Sequence, residues 1–400
     1  MKPILKLAAP LLVTLAFAAC SAGGSSSLPN ASAQPTEGKR MLPHWLLTGA
    51  ASPACRGSRV GHAQCDVLLE TGGASPAVAG LGATTLETYY NLPSSTSGSG
   101  QIVALVDAYD NPNVSSDLAT YRSQFGLGTA TFQKYNQNGQ ESNYPSGNTG
   151  WGVEIDLDVE MVSAACPRCT IYLVEANSSA WSDLQQAEAE AVSLGATIVS
   201  NSYDGTGASE SSYDTPGITY VASSGDDGYG LYDPATFQSV VAAGGTTLTP
   251  KAKSYIEKVW IDSGGGCSST HEPKPSWQAD PDCGYRTGSD ASAVAAGVAE
   301  YDTYGNGGWF TVSGTSISSP LLAGVYGLAG NATSQDGGKN LWMLSSGQLQ
   351  NDLHAITKGG PVDGCAKSVK RTYLCKVGTA QFGQYSGPDG WGSPNGVGAF

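Results

Sequence analysis

From residue 100 onward the chain alternates two patterns. Ile102-Val-Ala-Leu-Val106 is an unbroken apolar run, the mark of a strand covered on both faces. The polar stretch Ser115–Phe125 follows, with Leu118, Tyr121 and Phe125 at helical spacing. Trp151–Ala165 predicts a helix and Thr170–Val174 a strand. Trp181–Leu194, rich in Ala, Glu and Gln, predicts a helix closed by Gly195. Ala196–Ser200, Ile218–Ala222 and Ser239–Ala243 are further β-type runs, and Pro320–Leu328 reads as a buried helix of small residues. Strands alternating with helices predict an α/β fold with a parallel sheet flanked by helices.

Composition narrows the class. The chain has 400 residues, with 20 Lys+Arg against 34 Asp+Glu and a formal charge of −14. An acidic chain lacks the basic footprint of nucleic-acid binding, so no nucleic-acid partner is expected. Charged residues are 14%, against roughly 25% in an average soluble domain. Hydrophobic residues at 40% and 8% aromatics provide for a large core and exclude a disordered acidic chain.

The first residues read as an export signal. Lys2 and Lys6 precede the apolar run Leu7–Ala19, which is too short for a permanent span. Phe17-Ala-Ala-Cys20 resembles a bacterial lipobox, with Phe17 where the pattern prefers Leu, Val or Ile. Cys20 is then the lipidation site; the alternative is an ordinary signal peptide. The expected organisation is a signal peptide over 1–19, a Ser/Gly/Pro-rich tether over 20–43, a short N-terminal segment over 44–95 and the α/β domain over 96–400. After residue 20 no stretch is suited to span a membrane, so a lipid anchor is the only membrane contact expected.

The cysteine count fits export. Without Cys20, eight of the nine cysteines remain, in four sequence-near couples. Proximity favours disulfides Cys55–Cys65, Cys166–Cys169, Cys267–Cys283 and Cys365–Cys375. Zinc is the weaker reading of Cys166-Pro-Arg-Cys169, because no second such pair or close His follows.

Three segments carry chemistry. In Trp309-Phe-Thr-Val-Ser-Gly-Thr-Ser-Ile-Ser-Ser-Pro320 a strand leads into Gly314-Thr315-Ser316 and then a helix. A serine on such a turn sits near the positive end of a helix. A serine nucleophile needs a base. The four histidines, His44, His62, His271 and His354, include none at a suitable helix start. Trp151-Gly-Val-Glu-Ile-Asp-Leu-Asp instead places Glu154 and Asp158 on one helix face, with Trp151 and Met161 on the same stripe. A half-buried like-charge pair tends to share a proton. The third segment, Val221-Ala-Ser-Ser-Gly-Asp226-Asp-Gly228, follows an apolar strand. A carboxylic acid there donates a hydrogen bond only when protonated.

Gly-Thr-Ser-x-Ser-x-Pro resembles the nucleophile motif of the subtilisin-like superfamily, and the three segments in this order resemble the sedolisin family of serine-carboxyl peptidases, family S53. The resemblance runs from about Leu81 to Phe400. It implies a subtilisin-like fold, Ser316 as nucleophile, Glu154 as general base, Asp158 as its partner and Asp226 as oxyanion donor. It also implies Asp107 as a supporting acid and Ser202 and Tyr203, in Ser200-Asn-Ser-Tyr203, as lining of the substrate cleft.

Two departures stand out. Sedolisins usually bind calcium near the C-terminus through two Asp side chains. Here Ala355 and Ser386 stand at those positions, with Asp352 and Asp389 nearby as the substitutes. No cofactor is therefore expected, and calcium is left to Asp352 and Asp389. Secondly, residues 21–95 are fewer than the family's large propeptides. The resulting expectation is a monomeric, exported, acid-active endopeptidase acting on proteins or peptides. The alternatives are an inactive cell-surface binding protein on a degenerate peptidase fold and, more distantly, a conventional subtilisin.

Overall fold

In the computed structural model, residues 43–55, 60–379 and 381–400 are described, and the signal-peptide, tether and Cys20 readings lie outside them. The central sheet is built from β1 (Ile102–Ala108), β2 (Thr131–Asn136), β3 (Thr170–Ala176), β4 (Ile198–Asn201), β5 (Thr219–Ser223), β6 (Val240–Lys251), β7 (Ser254–Val259) and β8 (Ala291–Val294). Its order is β7-β6-β5-β4-β1-β3-β2, with β8 paired to β6 off that path. Every pair is parallel except the β6–β7 hairpin. The apolar runs are thus what the pattern predicts: Val103–Val106 of β1 is fully buried, because helices cover a parallel sheet.

Four helices connect and cover the sheet: α1 (Val114–Phe125), α2 (Thr149–Ala165), α3 (Trp181–Ser193) and α4 (Thr315–Ala329). Asn148 caps α2 by accepting hydrogen bonds from Gly150 N (2.9 Å) and Trp151 N (3.1 Å). From Trp151 to Ala165 every residue of α2 is buried. The close approach of α4 explains this. A Cβ at Gly324 would stand 2.7 Å from Ala165 Cβ, so only glycine permits the crossing.

Two further strands, β9 (Ala296–Asp302) and β10 (Gly308–Ser313), form an antiparallel pair leading to α4. Residues 68–70 pair antiparallel with β10, and residues 51–53 pair with 68–70. The 44–95 segment is therefore woven into the 96–400 domain with no seam at the composition change near Gly98. All four expected disulfides are formed, and Cys55–Cys65 closes the loop that precedes residues 68–70.

Candidate active site

The fold brings the separate sequence segments together at one end of the sheet. Ser316 lies in the first turn of α4, after Gly314, whose φ of +145° is a backbone that L side chains rarely adopt. Pro320 lies inside α4 and has no N–H to bond the carbonyl of Ser316 four residues earlier. The Ser202 hydroxyl stands 3.4 Å from that carbonyl. Its proton goes to the closer acceptor, Asp158 Oδ1 at 2.7 Å. Ser318 and Ser319 tie the helix to the sheet, through Ala293 N (2.8 Å) and Ser200 Oγ (2.9 Å).

Ser316 Oγ donates to the Ser202 carbonyl at 3.3 Å. The same hydroxyl lies beside Glu154 and draws its pKa down, against a stronger upward push from burial and from the neighbouring Asp158 and Asp107. Glu154 consequently sits well above the ordinary carboxylate range. Neither of its oxygens forms a hydrogen bond within the described structure. Asp158 is raised by burial and by Asp107, with Ser202 opposing. Burial lifts Asp107, at the end of β1, to about 7. Burial holds all three carboxyls above their ordinary range, with no Lys or Arg among the groups acting on them to oppose it.

Asp226 follows β5 on the other side of Ser316. Its Oδ1 accepts from Thr315 N (2.7 Å) and Thr315 Oγ1 (3.0 Å). Its Oδ2 is buried without a hydrogen-bond partner in the described structure. Burial raises its pKa well above the usual range, and the Thr315 contacts oppose this. A carboxyl held in its protonated form is a hydrogen-bond donor. A Cβ at Gly314 would lie 2.8 Å from that Oδ2, so the acid points at the turn that bears Ser316.

The other predicted residues fall in or near this frame. Ser202 takes part through its hydroxyl and its carbonyl. The Tyr203 side chain is buried instead, its hydroxyl donating to Asn201 Oδ1 at 2.7 Å, so Tyr203 lines the cleft through its backbone. The four histidines are engaged elsewhere. The backbone N–H of His44 donates to Asp262, His62 faces Ser179, His271 packs on Tyr285 and His354 on Tyr89. Asp389 is buried, receives the Ser386 hydroxyl and is raised by burial, while Asp352 is partly exposed beside Gly398. Ala355 is exposed.

Sequence reasoning missed three contributors. Thr315 braces Asp226 and accepts from Gly225 N at 3.0 Å. Asp66 lies against Ser316, its carbonyl accepting from Ser316 N at 3.2 Å; the cysteine couple at 55 and 65 was the signal that this segment is ordered. On the opposite face of α2, Asp156 joins Asp117 and Asp302, whose carboxylate oxygens all lie within 4.8 Å of one another.

The parallel sheet, the serine at the start of a helix and the facing carboxyl acid define a protein of subtilisin-like fold. Among solved structures, Pseudomonas sedolisin, a serine-carboxyl proteinase complexed with two molecules of pseudo-iodotyrostatin, matches with a TM-score of 0.63 at 23% identity. The match covers 80% of this chain and 96% of that one. Fervidolysin from Fervidobacterium pennivorans, a keratinolytic enzyme related to subtilisin, matches with a TM-score of 0.50 at 14% identity, over 80% of this chain and 45% of that one. In sequence, sedolisin from Pseudomonas sp. (strain 101) is 28% identical over an alignment of 295 residues that covers 63% of this chain and 50% of that protein. The chain therefore spans about half the length of the curated relative it matches. No family model matches the chain. The fold is therefore subtilisin-like, and the sequence is similar to sedolisin.

Proposed function

We propose that the chain is a serine-carboxyl endopeptidase acting on proteins or peptides. The observation that carries this reading is the convergence on Ser316 of a buried Glu154 with open oxygens and a buried Asp226 with an open Oδ2. Ser316 Oγ attacks the peptide carbonyl and Glu154 takes its proton. The oxyanion is met by Ser316 N–H and by protonated Asp226. Asp158, held by Ser202, and Asp107 tune the charge on Glu154. When the leaving amine departs, Glu154 returns the proton, and water then hydrolyses the acyl-enzyme.

The pH dependence follows from two opposite requirements. Glu154 must be ionised and Asp226 protonated, so the rate profile is a bell. Burial raises both groups and brings Asp107 to about 7, so the bell is centred above the free carboxylate range. Free carboxylates titrate at about 3.9–4.3. Fluorophosphonate labelling across pH tests the reading. Labelling of the wild type on the acid side of neutral, absent in Ser316→Ala, is expected; labelling only near and above neutral would point back to a histidine base.

We further propose export, with Cys20 lipidated as the only membrane contact, a monomeric state, no nucleic-acid partner, and activity independent of calcium. The disulfides are compatible with export, and no helix among the described residues is long and apolar enough to cross a membrane. A second reading, an inactive cell-surface binding protein, is favoured by one observation: Ser316 is completely buried, beneath residues of the chain's own N-terminal segment.

A further inference from the structure

Lys134 stands on β2, the edge strand of the central sheet, with its side chain only 11% exposed. Lys134 pairs with Leu173 of β3, and Asn136 pairs with Glu175. Side chains alternate along a strand, so Lys134 and Glu175 share one face of the sheet. The Lys134 ammonium meets Asp110 Oδ1 directly, Glu175 Oε1 at 3.5 Å and the Asn111 carbonyl at 3.1 Å. The ring of Tyr144 covers it at 4.2 Å, and the Tyr144 hydroxyl donates to the Lys134 carbonyl at 3.1 Å. Asp110 follows β1 and is fixed by the backbone around it. Tyr109 takes a φ of +68° and donates to the Ala176 carbonyl at 2.8 Å, and the Asp110 carbonyl accepts from Asn148 N at 3.2 Å. Glu175 is fully buried, and Asn111 N donates to its Oε1 at 3.3 Å. Burial lifts Glu175 to about 9; Lys134 opposes this and Asp110 adds to it. One amine, one carboxylate and one protonated acid are thus held in contact behind an aromatic ring.

We propose that Lys134 and Asp110 join spontaneously in an amide bond, with Glu175 as the acid that relays the protons, so that the edge strand β2 is tied covalently to the end of β1. The inference is independent of the peptidase reading. An ion pair withdrawn from water is costly, which favours passing a proton from the ammonium to the Asp110 carboxylate and leaving a neutral amine beside a neutral acid. Fixed contact supplies the encounter: well-oriented intramolecular reactions reach effective concentrations of roughly 10⁵–10⁸ M. Glu175 supplies the proton traffic, giving from one carboxyl oxygen while it receives at the other. Lys134 Nζ bonds to Asp110 Cγ. Glu175 takes a proton from that nitrogen and gives one to a hydroxyl on Cγ. The Cγ–O bond breaks, water leaves, and Glu175 ends in the form in which it began. Ammonium and carboxylate have become amide and water, so no oxidant or co-reactant is consumed. Protonation in acid breaks an ion pair but leaves an amide intact, and this one secures the chain just past Asp107 to the rim of the sheet.

The test uses the full-length Ser316→Ala chain, alone and with Lys134→Arg, Asp110→Ala or Glu175→Gln added. Intact mass is measured after denaturation and full reduction, at purification and again after incubation at neutral pH, and tryptic peptides are mapped. The parent chain is expected to be lighter by one water than its sequence, counted from the termini that the peptide map defines. Trypsin cuts after Arg122, between the two residues, yet the flanking peptides stay joined, and the Lys134–Tyr135 bond is left uncut. Lys134→Arg and Asp110→Ala carry their full sequence mass. Glu175→Gln loses water about 10²-fold more slowly or worse, the usual scale for removing a general acid–base group. The parent chain's mass and peptide map carry the test should a variant fail to fold. A parent chain still at full sequence mass after incubation overturns the proposal. So does a water lost equally from Lys134→Arg, which is the sign of a cyclic imide at an aspartyl residue and not of a cross-link. Glu175→Gln reacting at the parent rate overturns the role given to Glu175.

Discussion

Helix α2 carries two acidic pairs with the same spacing on opposite faces. Glu154 and Asp158 face Ser316 and Ser202; Asp156 and Glu160 face α1 and β9. Both pairs are fully buried, and burial is the largest cause of the raised pKa in all four. They differ in what stands opposite. Asp156 Oδ2 accepts from Asn111 Nδ2 at 2.6 Å, and Glu160 accepts from Tyr301 N at 3.2 Å. Asp117 nearby is held by Thr303 N at 2.9 Å. That face is a scaffold of amides and acids locking α2 to its neighbours. The first face leaves Glu154 with no formed hydrogen bond and sets a hydroxyl beside it. Helical spacing puts two carboxyls on a face; the opposite wall decides whether they are tied into the fold or left open toward a hydroxyl.

The sharpest way to break this comparison is to neutralise one residue on each face. Glu154→Gln should lower peptide turnover by about 10²–10⁴-fold, the usual range for losing a general base. Asp156→Asn should leave turnover of the folded enzyme within a few-fold of wild type. Equal losses in a steady-state assay would erase the distinction. Asp158→Asn should reduce turnover less than Glu154→Gln, and should shift the acid limb of the pH profile, because its charge acts through Glu154.

A stability measurement probes the scaffold face. Asp156, Glu160 and Glu300 have folded pKa values raised above their unfolded ones. The folded state therefore holds more protons, and this contribution is fully present below about pH 4 and lost as pH rises through the folded values. Melting temperature should fall from acid toward neutral pH in the inactive Ser316→Ala chain, which removes self-digestion from the readout. Glu300 has both carboxyl oxygens unpartnered within the described structure. Glu300→Gln should raise neutral-pH stability by about 1 kcal/mol or more and flatten the slope, with no gain in acid. The smallest effect is expected from chelation. EDTA should leave melting temperature and turnover nearly unchanged; a large drop would reveal an ion that Asp352 or Asp389 helps to hold.

Much of the fold was legible because parallel strands announce themselves as unbroken apolar runs, and β1, β3 and β5 lie within a residue or two of their predicted positions. The site was legible as far as local motifs reach: Ser316 by its turn, Glu154 and Asp158 by helical spacing. Thr315 and the Asp156 cluster were not, because their partners lie far along the chain, as with Asp117 and Thr303. Asp66 was hidden for another reason. Its importance lies in where its backbone carbonyl points, and a main-chain position leaves no mark in residue type.

The hairpin joining residues 51–53 to 68–70 gives the segment over Ser316 more than one hold, and Trp45 Nε1 adds another by donating to the Asp226 carbonyl at 3.1 Å. Because that segment belongs to the same chain, it meets the site at the high effective concentration of a tethered ligand, independent of how dilute the protein is. Dilution of the protein should therefore leave the accessibility of Ser316 to labelling unchanged.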